Sequence, residues 1–132
     1  MKIETHRSID ARLVGSPVEV AEGRAVVRLE ALPEMAADER GLVHGGFVFG
    51  LADYAGMLAV NHPNVVLGAA ELRFLRPVRV GEVLVAEARH TGDDGKKKRV
   101  HVEVRCGEVV VVSAELTCFV PARHVLEPAG AG

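Results

Sequence analysis

The chain has 132 residues, 48% of them hydrophobic and 26% charged, enough apolar material for one domain with its own core. A net charge of −2 offers no basic field to nucleic acid, and no apolar run approaches the roughly 20 residues that span a bilayer, so neither kind of partner is expected. Cys106 and Cys118 are too few and too loosely spaced for a disulfide framework or a zinc site, and Met1–Arg7 has no apolar signal stretch, which points to a cytoplasmic protein with free thiols.

In chain order, residues 1–17 read as a short helix or arm lying on the body, with Ile3, Ile9, Leu13 and Val14 as its apolar contacts. Val18–Ala31 reads as a hairpin, or as one strand bent at Gly23, with Arg24, Arg28 and Glu30 on a wet face. Pro33 ends it, and Glu34–Arg40 is a polar turn. Gly45–Asn61 carries no Pro and is apolar almost throughout, the pattern of a buried helix. Phe47, Leu51, Tyr54 and Leu58 share one of its faces. Gly46, Phe49, Gly50, Asp53, Met57 and Val60 share the opposite one. Gly50 and Gly56 each cost a helix about 1 kcal/mol relative to Ala, which predicts another backbone close by.

After a turn at His62-Pro63-Asn64 the pattern is antiparallel β. Val65–Val80 is strand-like with a bend at Arg76-Pro77, because Pro77 cannot donate to a ladder. Glu82–Thr91 is the next strand, Gly92–Gly95 a turn, and Val100–Cys106 alternates cleanly. Gly107 turns the chain into Val109–Val120, and residues 122–132 read as a flexible tail. No repeat or linker divides 1–132, so this is a single α+β domain: five or six antiparallel strands wrapped around one long helix.

Chemistry concentrates on that helix. The first N–H groups, at Gly45 and Gly46, lack intrahelical partners, and the dipole is positive there, which suits an anion or a developing oxyanion. Asp53 is the only acid in the stretch, and a buried carboxylate is costly unless paired or put to use. It lies eight residues past Gly45, about 12 Å along the axis. A reacting carbonyl needs both groups within roughly 3–3.5 Å. One helix cannot supply both, so two antiparallel copies must, and a homodimer is predicted.

His44-Gly45-Gly46, the Leu51-Ala52-Asp53 step with Asp53 nine residues after His44, Asn61 eight residues later, and Glu71–Gly81 with its Arg76-Pro77 turn resemble the hotdog-fold thioesterases. Within that group the nearest likeness is to the phenylacetic-acid-degradation type with its His-Gly-Gly…Asp signature. The likeness covers roughly Val18–Val120. It implies a hotdog fold and an acyl-CoA thioesterase that releases free acid and coenzyme A. It implies no cofactor beyond the coenzyme A thioester substrate, no metal, and a dimer or dimer of dimers. Asp53 would be nucleophile or general base. Gly45 would donate its N–H to the thioester oxygen, and His44 would order that loop or touch substrate. Gly46, Asn61, Asp38, Phe47 and Arg76 would complete the substrate site, with Phe49, Tyr54 and Met57 as further acyl-pocket candidates.

Plainer readings stand beside these. Asp53 could be an ion-pair partner, His44 a helix-start residue bound to backbone, Asn61 a C-cap, and the aromatic residues core. Lys96–Arg99 is a solvated hairpin tip or a phosphate contact for coenzyme A, a role open also to Arg73, Arg76 and Arg79. Two positions depart from the family pattern: Asp38 stands where an Asn is common, and Leu67 where a Ser or Thr is. Asp38 and Asp53 sharing one proton across the dimer is the hypothesis this raises. The alternatives in function are an acyl-CoA-binding hotdog protein without turnover, and an enoyl-CoA hydratase-type enzyme.

Overall fold

The computed structural model describes residues 1–128. Its elements are α1 (Ala11–Val14), β1 (Ser16–Ala21), β2 (Arg24–Glu30), a 3-10 turn (Pro33–Met35), α2 (Gly45–Val60), β3 (Val66–Phe74), β4 (Val83–Asp94), β5 (Lys97–Cys106) and β6 (Val109–Phe119). The six strands form one antiparallel sheet in the order β1-β2-β4-β5-β6-β3, and α2 packs on its inner face. This is a hotdog fold.

The core follows from period-two alternation. Ala25, Val27 and Leu29 of β2, Leu84, Ala86 and Ala88 of β4, and Val100, Val102 and Val104 of β5 all point inward and are buried. Ala114, Leu116 and Cys118 continue the row on β6, and Leu51, Ala55 and Leu58 of α2 close it. Gly56 serves a side chain rather than another backbone: a methyl built there would lie 2.5 Å from Leu116 Cδ1. Gly50 is less constrained, with Val14 Cγ1 at 3.7 Å from the same construction.

The helix is not buried all round. Gly46 is exposed, and Phe49, Gly50, Asp53 and Val60 are half-buried, so the second face forms an open stripe. The helix is capped at both ends, by a side chain at the start and by backbone at the finish, where the Asn61 N–H donates to the Met57 carbonyl at 2.8 Å. His44 at the N-cap accepts a hydrogen bond from the Gly46 N–H at 2.9 Å. Asn61 at the C-cap takes the left-handed conformation, φ 51° and ψ 48°.

The expected boundaries shift for local reasons. Residues 1–10 lie as an arm, fixed where Asn61 Oδ1 accepts from the Glu4 N–H and Asn61 Nδ2 donates to the Lys2 carbonyl, both at 2.8 Å. Ser16 and Pro17 belong to β1, not to the arm. β1 and β2 form a hairpin, with Gly23 at φ 72° in its turn. β4 runs on to Asp94 and β5 begins at Lys97, because Asp93 faces Lys98 and Asp94 faces Lys97 across the ladder. β3 stops at Phe74 instead of reaching Val80. The N–H groups of Leu75 and Arg76 both turn to the Val111 carbonyl, and residues beyond Pro77 pair with the loop before α2, Leu42 bridging to Arg79. Residues 122–128 are exposed turns, and the rest of the expected tail, 129–132, lies outside the described residues. Among the described residues no helix is long and apolar enough to cross a membrane.

Candidate active site

Asp53 sits mid-helix on the open stripe. Its Oδ1 is buried and has no hydrogen-bond partner. Removal from water pushes its carboxyl above the ordinary Asp value, since burial disfavours the charged form. Across the packing lies β6: the Cys118 thiol is pushed up to about 12, by burial first and by the Asp53 charge second, so it stays a thiol and offers no nucleophile. Leu67 stands opposite Cys118 on β3 and packs on the core, so no hydroxyl reaches the carboxylate from that position.

Gly45 is the first residue of α2, and its N–H makes no hydrogen bond among the described residues. Gly46 differs from the expectation: its N–H is held by the His44 ring, so the helix start offers one free donor from the glycine pair, not two. A methyl built on Gly45 would come within 3.2 Å of the Phe74 ring, so glycine here lets the aromatic ring close over the backbone. The Gly45 end opens into a cleft of about 310 Å³ lined by Leu42, Val43, Val48, Phe74, Leu75 and Val78, among others, with Arg76 as its charged residue. A second cleft, about 270 Å³, adjoins it and is lined by Asp38, Arg40, Leu42, Pro77 and Arg79.

Other predicted residues fall in different places. Phe47 is half-buried, with its ring edge-on to His44 at 6.3 Å between centroids. Tyr54 and Met57 are core residues and Phe49 lies on the open stripe. The Asn61 side-chain amide is engaged by the arm at both ends, its backbone N–H caps α2 on the Met57 carbonyl, and it lines neither cleft. Asp38 is exposed, and its Oδ1 accepts from the N–H groups of Arg40 and Leu42, which shapes the turn before His44. It borders the arginine-lined cleft; Asp53 lines neither cleft, and the chain alone does not bring the two carboxylates together. Arg40, Leu42, Phe74 and Val78 were not foreseen at the site. Their segments are some thirty residues apart, and only tertiary pairing unites them. Among the described residues no group of three His, Cys, Asp or Glu could hold a metal ion.

Comparison with known proteins fits this geometry. An uncharacterised protein from Pyrococcus horikoshii of known structure is 54% identical, with a TM-score of 0.95, over 96% of this chain and 98% of that one. A variant of the phenylacetic acid degradation protein PaaI from Thermus thermophilus is 29% identical with a TM-score of 0.76, over 83% of this chain and 95% of that one. Methylthioribose-1-phosphate isomerase of Aquifex aeolicus is 55% identical over 115 residues, 87% of this chain but 25% of that protein. Transcription factor FapR of Shouchella clausii is 31% identical over 100 residues, 76% of this chain and 52% of that protein. The chain thus spans a quarter of one curated relative and about half of the other, and the names of those longer proteins describe more than the shared part. The family description that matches is the thioesterase superfamily, over residues 40–113, from the turn before His44 into β6. That span holds His44, Gly45, Asp53, the whole lining of the first cleft and all of the second but Asp38, and it exceeds half the sequence: the chain belongs to the thioesterase superfamily.

Proposed function

We propose that this protein is an acyl-CoA thioesterase of the phenylacetic-acid-degradation type, acting as a homodimer with each site shared between two subunits. One observation carries the reading. A free N–H at Gly45 heads an apolar cleft, while a half-buried carboxylate, Asp53, whose buried Oδ1 has no partner, lies about 12 Å along the same helix on an open stripe. A second helix running antiparallel would bring Asp53 of its own chain to Gly45 of the first. The outer edge of β3 favours such an approach: among the described residues β3 pairs with β6 alone, and its Ala69 and Ala70 are exposed.

In this reading the thioester carbonyl accepts the Gly45 N–H, which stabilises the oxyanion as it forms. Asp53 takes a proton from a water whose oxygen adds to the carbonyl carbon, or adds to that carbon itself to give a mixed anhydride that water then hydrolyses; in either case the C–S bond breaks, coenzyme A leaves as thiolate and is protonated, and the free acid is released. His44 holds the Gly46 N–H and so fixes the loop that presents Gly45. Asp38 shapes the same loop. The likeness to PaaI supports the subfamily.

The test is thiol release from short, medium, long and aryl acyl-CoAs by wild type and Asp53→Ala. Asp53→Ala is expected to lower kcat/KM at least about a hundredfold, which is roughly 2.7 kcal/mol of transition-state stabilisation. A second reading, binding without turnover, is favoured by Leu67 at the hydroxyl position and by the likeness to a transcription factor. Acyl-CoA bound but not hydrolysed by the wild type would establish it instead.

A further inference from the structure

We propose that the N-terminal arm is an acid-released strap on α2: a neutral His6 ring lets residues 1–10 dock along the helix, and a proton on that ring lifts them off. The inference goes beyond the thioesterase reading, since it concerns an element outside the matched residues 40–113 and invokes no substrate. The arm and α1 follow α2 from its end back toward its start. Asn61 holds Lys2 and Glu4 by two bonds at 2.8 Å, and the His6 ring lies 6.3 Å from the Tyr54 ring. Val14 of α1 is the neighbour that a methyl on Gly50 would meet, at 3.7 Å. Gly50 and Asp53 share the open stripe, so arm and α1 together form one border of it.

The contact at His6 suits an uncharged ring. Thr5 is buried, and its hydroxyl meets His6 Nδ1 at 2.8 Å. His6 is half-buried, with φ 54°, in the left-handed region that histidine enters more readily than most side chains do. Burial holds the ring below the ordinary histidine value of 6.5. A positive ring would need a counter-charge, and none is engaged. From α2 it faces Tyr54, whose hydroxyl burial pushes above its ordinary value of 10. Asp53 precedes Tyr54 on α2, but burial alone moves its carboxyl, so no His6 charge acts on it. The charged residues beside His6 on the arm are Glu4 and Arg7, and among the described residues no ion pair reaches the ring. A cation–π contact is out of reach as well: the rings are 6.3 Å apart and tilted by 39°, beyond the roughly 6 Å such contacts need. The Thr5 bond favours neither state, because a hydroxyl accepts from a protonated ring as readily as it donates to a neutral one. Loss of water around the ring therefore decides. Docking favours the neutral form, so the stability His6 gives the docked arm is fully present above 6.5 and is lost as pH falls through the docked value. Little else opposes release: Met1, Lys2 and residues 7–10 are exposed.

Tyr54 is the one tyrosine in a chain without tryptophan, so its emission reads this contact alone. Acrylamide quenching of that emission, from about pH 8 to about pH 5, tests the proposal. Amide exchange at Glu4, corrected for its intrinsic pH dependence, is a second probe. In the wild type quenching should rise with a midpoint below 6.5, and the Glu4 N–H should lose protection over the same range while Val102 in β5 keeps its own. The His6 ring, followed by NMR, should titrate with that same midpoint. His6→Asn suits the left-handed backbone and carries no charge in this range, and should show no transition. Asn61→Gly keeps the left-handed cap of α2 and removes both arm bonds, so it should release the arm at a higher pH than the wild type does. Four results would each overturn the proposal: quenching that stays flat to the acid end, a rise that His6→Asn retains, a His6 midpoint apart from that of Tyr54, or an Asn61→Gly arm held as firmly as the wild type's.

Discussion

Asp53 occupies a place where a carboxylate is unwelcome. Its folded-state pKa is raised, so folding favours the protonated form. The stability this confers is fully present below the unfolded value near 3.8 and is lost as pH rises through the folded value. At pH 7 the ionised group therefore works against the fold. Asp53→Asn should melt higher than wild type at pH 7, by about 1 kcal/mol in stability, the scale of an unsatisfied buried polar group. The gap should narrow as pH falls toward the unfolded value, and thermal melts at the two pH values check it. Activity should change in the opposite direction. If ionised Asp53 does the chemistry, kcat/KM falls as pH drops through a value above 3.8, and a pH–rate profile reads that directly. The sequence made Asp53 conspicuous because a lone acid in an apolar helix has few explanations. It could not show that the His44 ring spends one of the two glycine donors, since a His before Gly-Gly reads equally as cap or as substrate contact.

At the scale of elements, Gly50 and Gly56, the glycines past the first turn of α2, give a paired prediction. Gly56→Ala puts a methyl 2.5 Å from Leu116 Cδ1. The overpacking, about 1–3 kcal/mol, outweighs the gain in helix propensity of about 1 kcal/mol, and the variant should unfold at lower urea. Gly50→Ala meets only Val14 at 3.7 Å, an ordinary contact, and should unfold at the same or higher urea. The helix and the alternating strands were legible because their periods are strong and Pro is absent from them. The hairpin tip was not, because Asp93-Asp94 and Lys97-Lys98 read as loop until their charges are placed opposite one another. The end of β3 was misread because Val78 and Val80 look like strand residues; they pair, but with the loop before α2.

For the whole molecule, a shared site can be tested by mixing. Gly45→Pro removes the N–H at the first helical position, where proline's backbone is tolerated, with the Phe74 ring giving way to its Cβ at 3.2 Å and a melting curve checking that the variant folds, and Asp53→Ala removes the carboxylate. Each homodimer should be nearly inactive. Unfolded and refolded together, the two variants form heterodimers with one intact Gly45–Asp53 pair, and turnover should return. No recovery would mean that one chain supplies both groups. Strand order was out of reach of the sequence, because adjacent segments need not be adjacent strands. That order has a consequence for how the molecule is made. β3 is synthesised third among the strands, yet its ladder partner is β6, the last. On a ribosome β3 must wait, with both edges bare, while β4 and β5 emerge and β6 arrives to seat it. In that interval β3 is exposed to other chains, since an unpaired strand edge is a template for pairing. Assembly is thus gated by the final strand, and a chain truncated before Val109 would keep α2 and the strands β1, β2, β4 and β5 but offer β3 no place to dock.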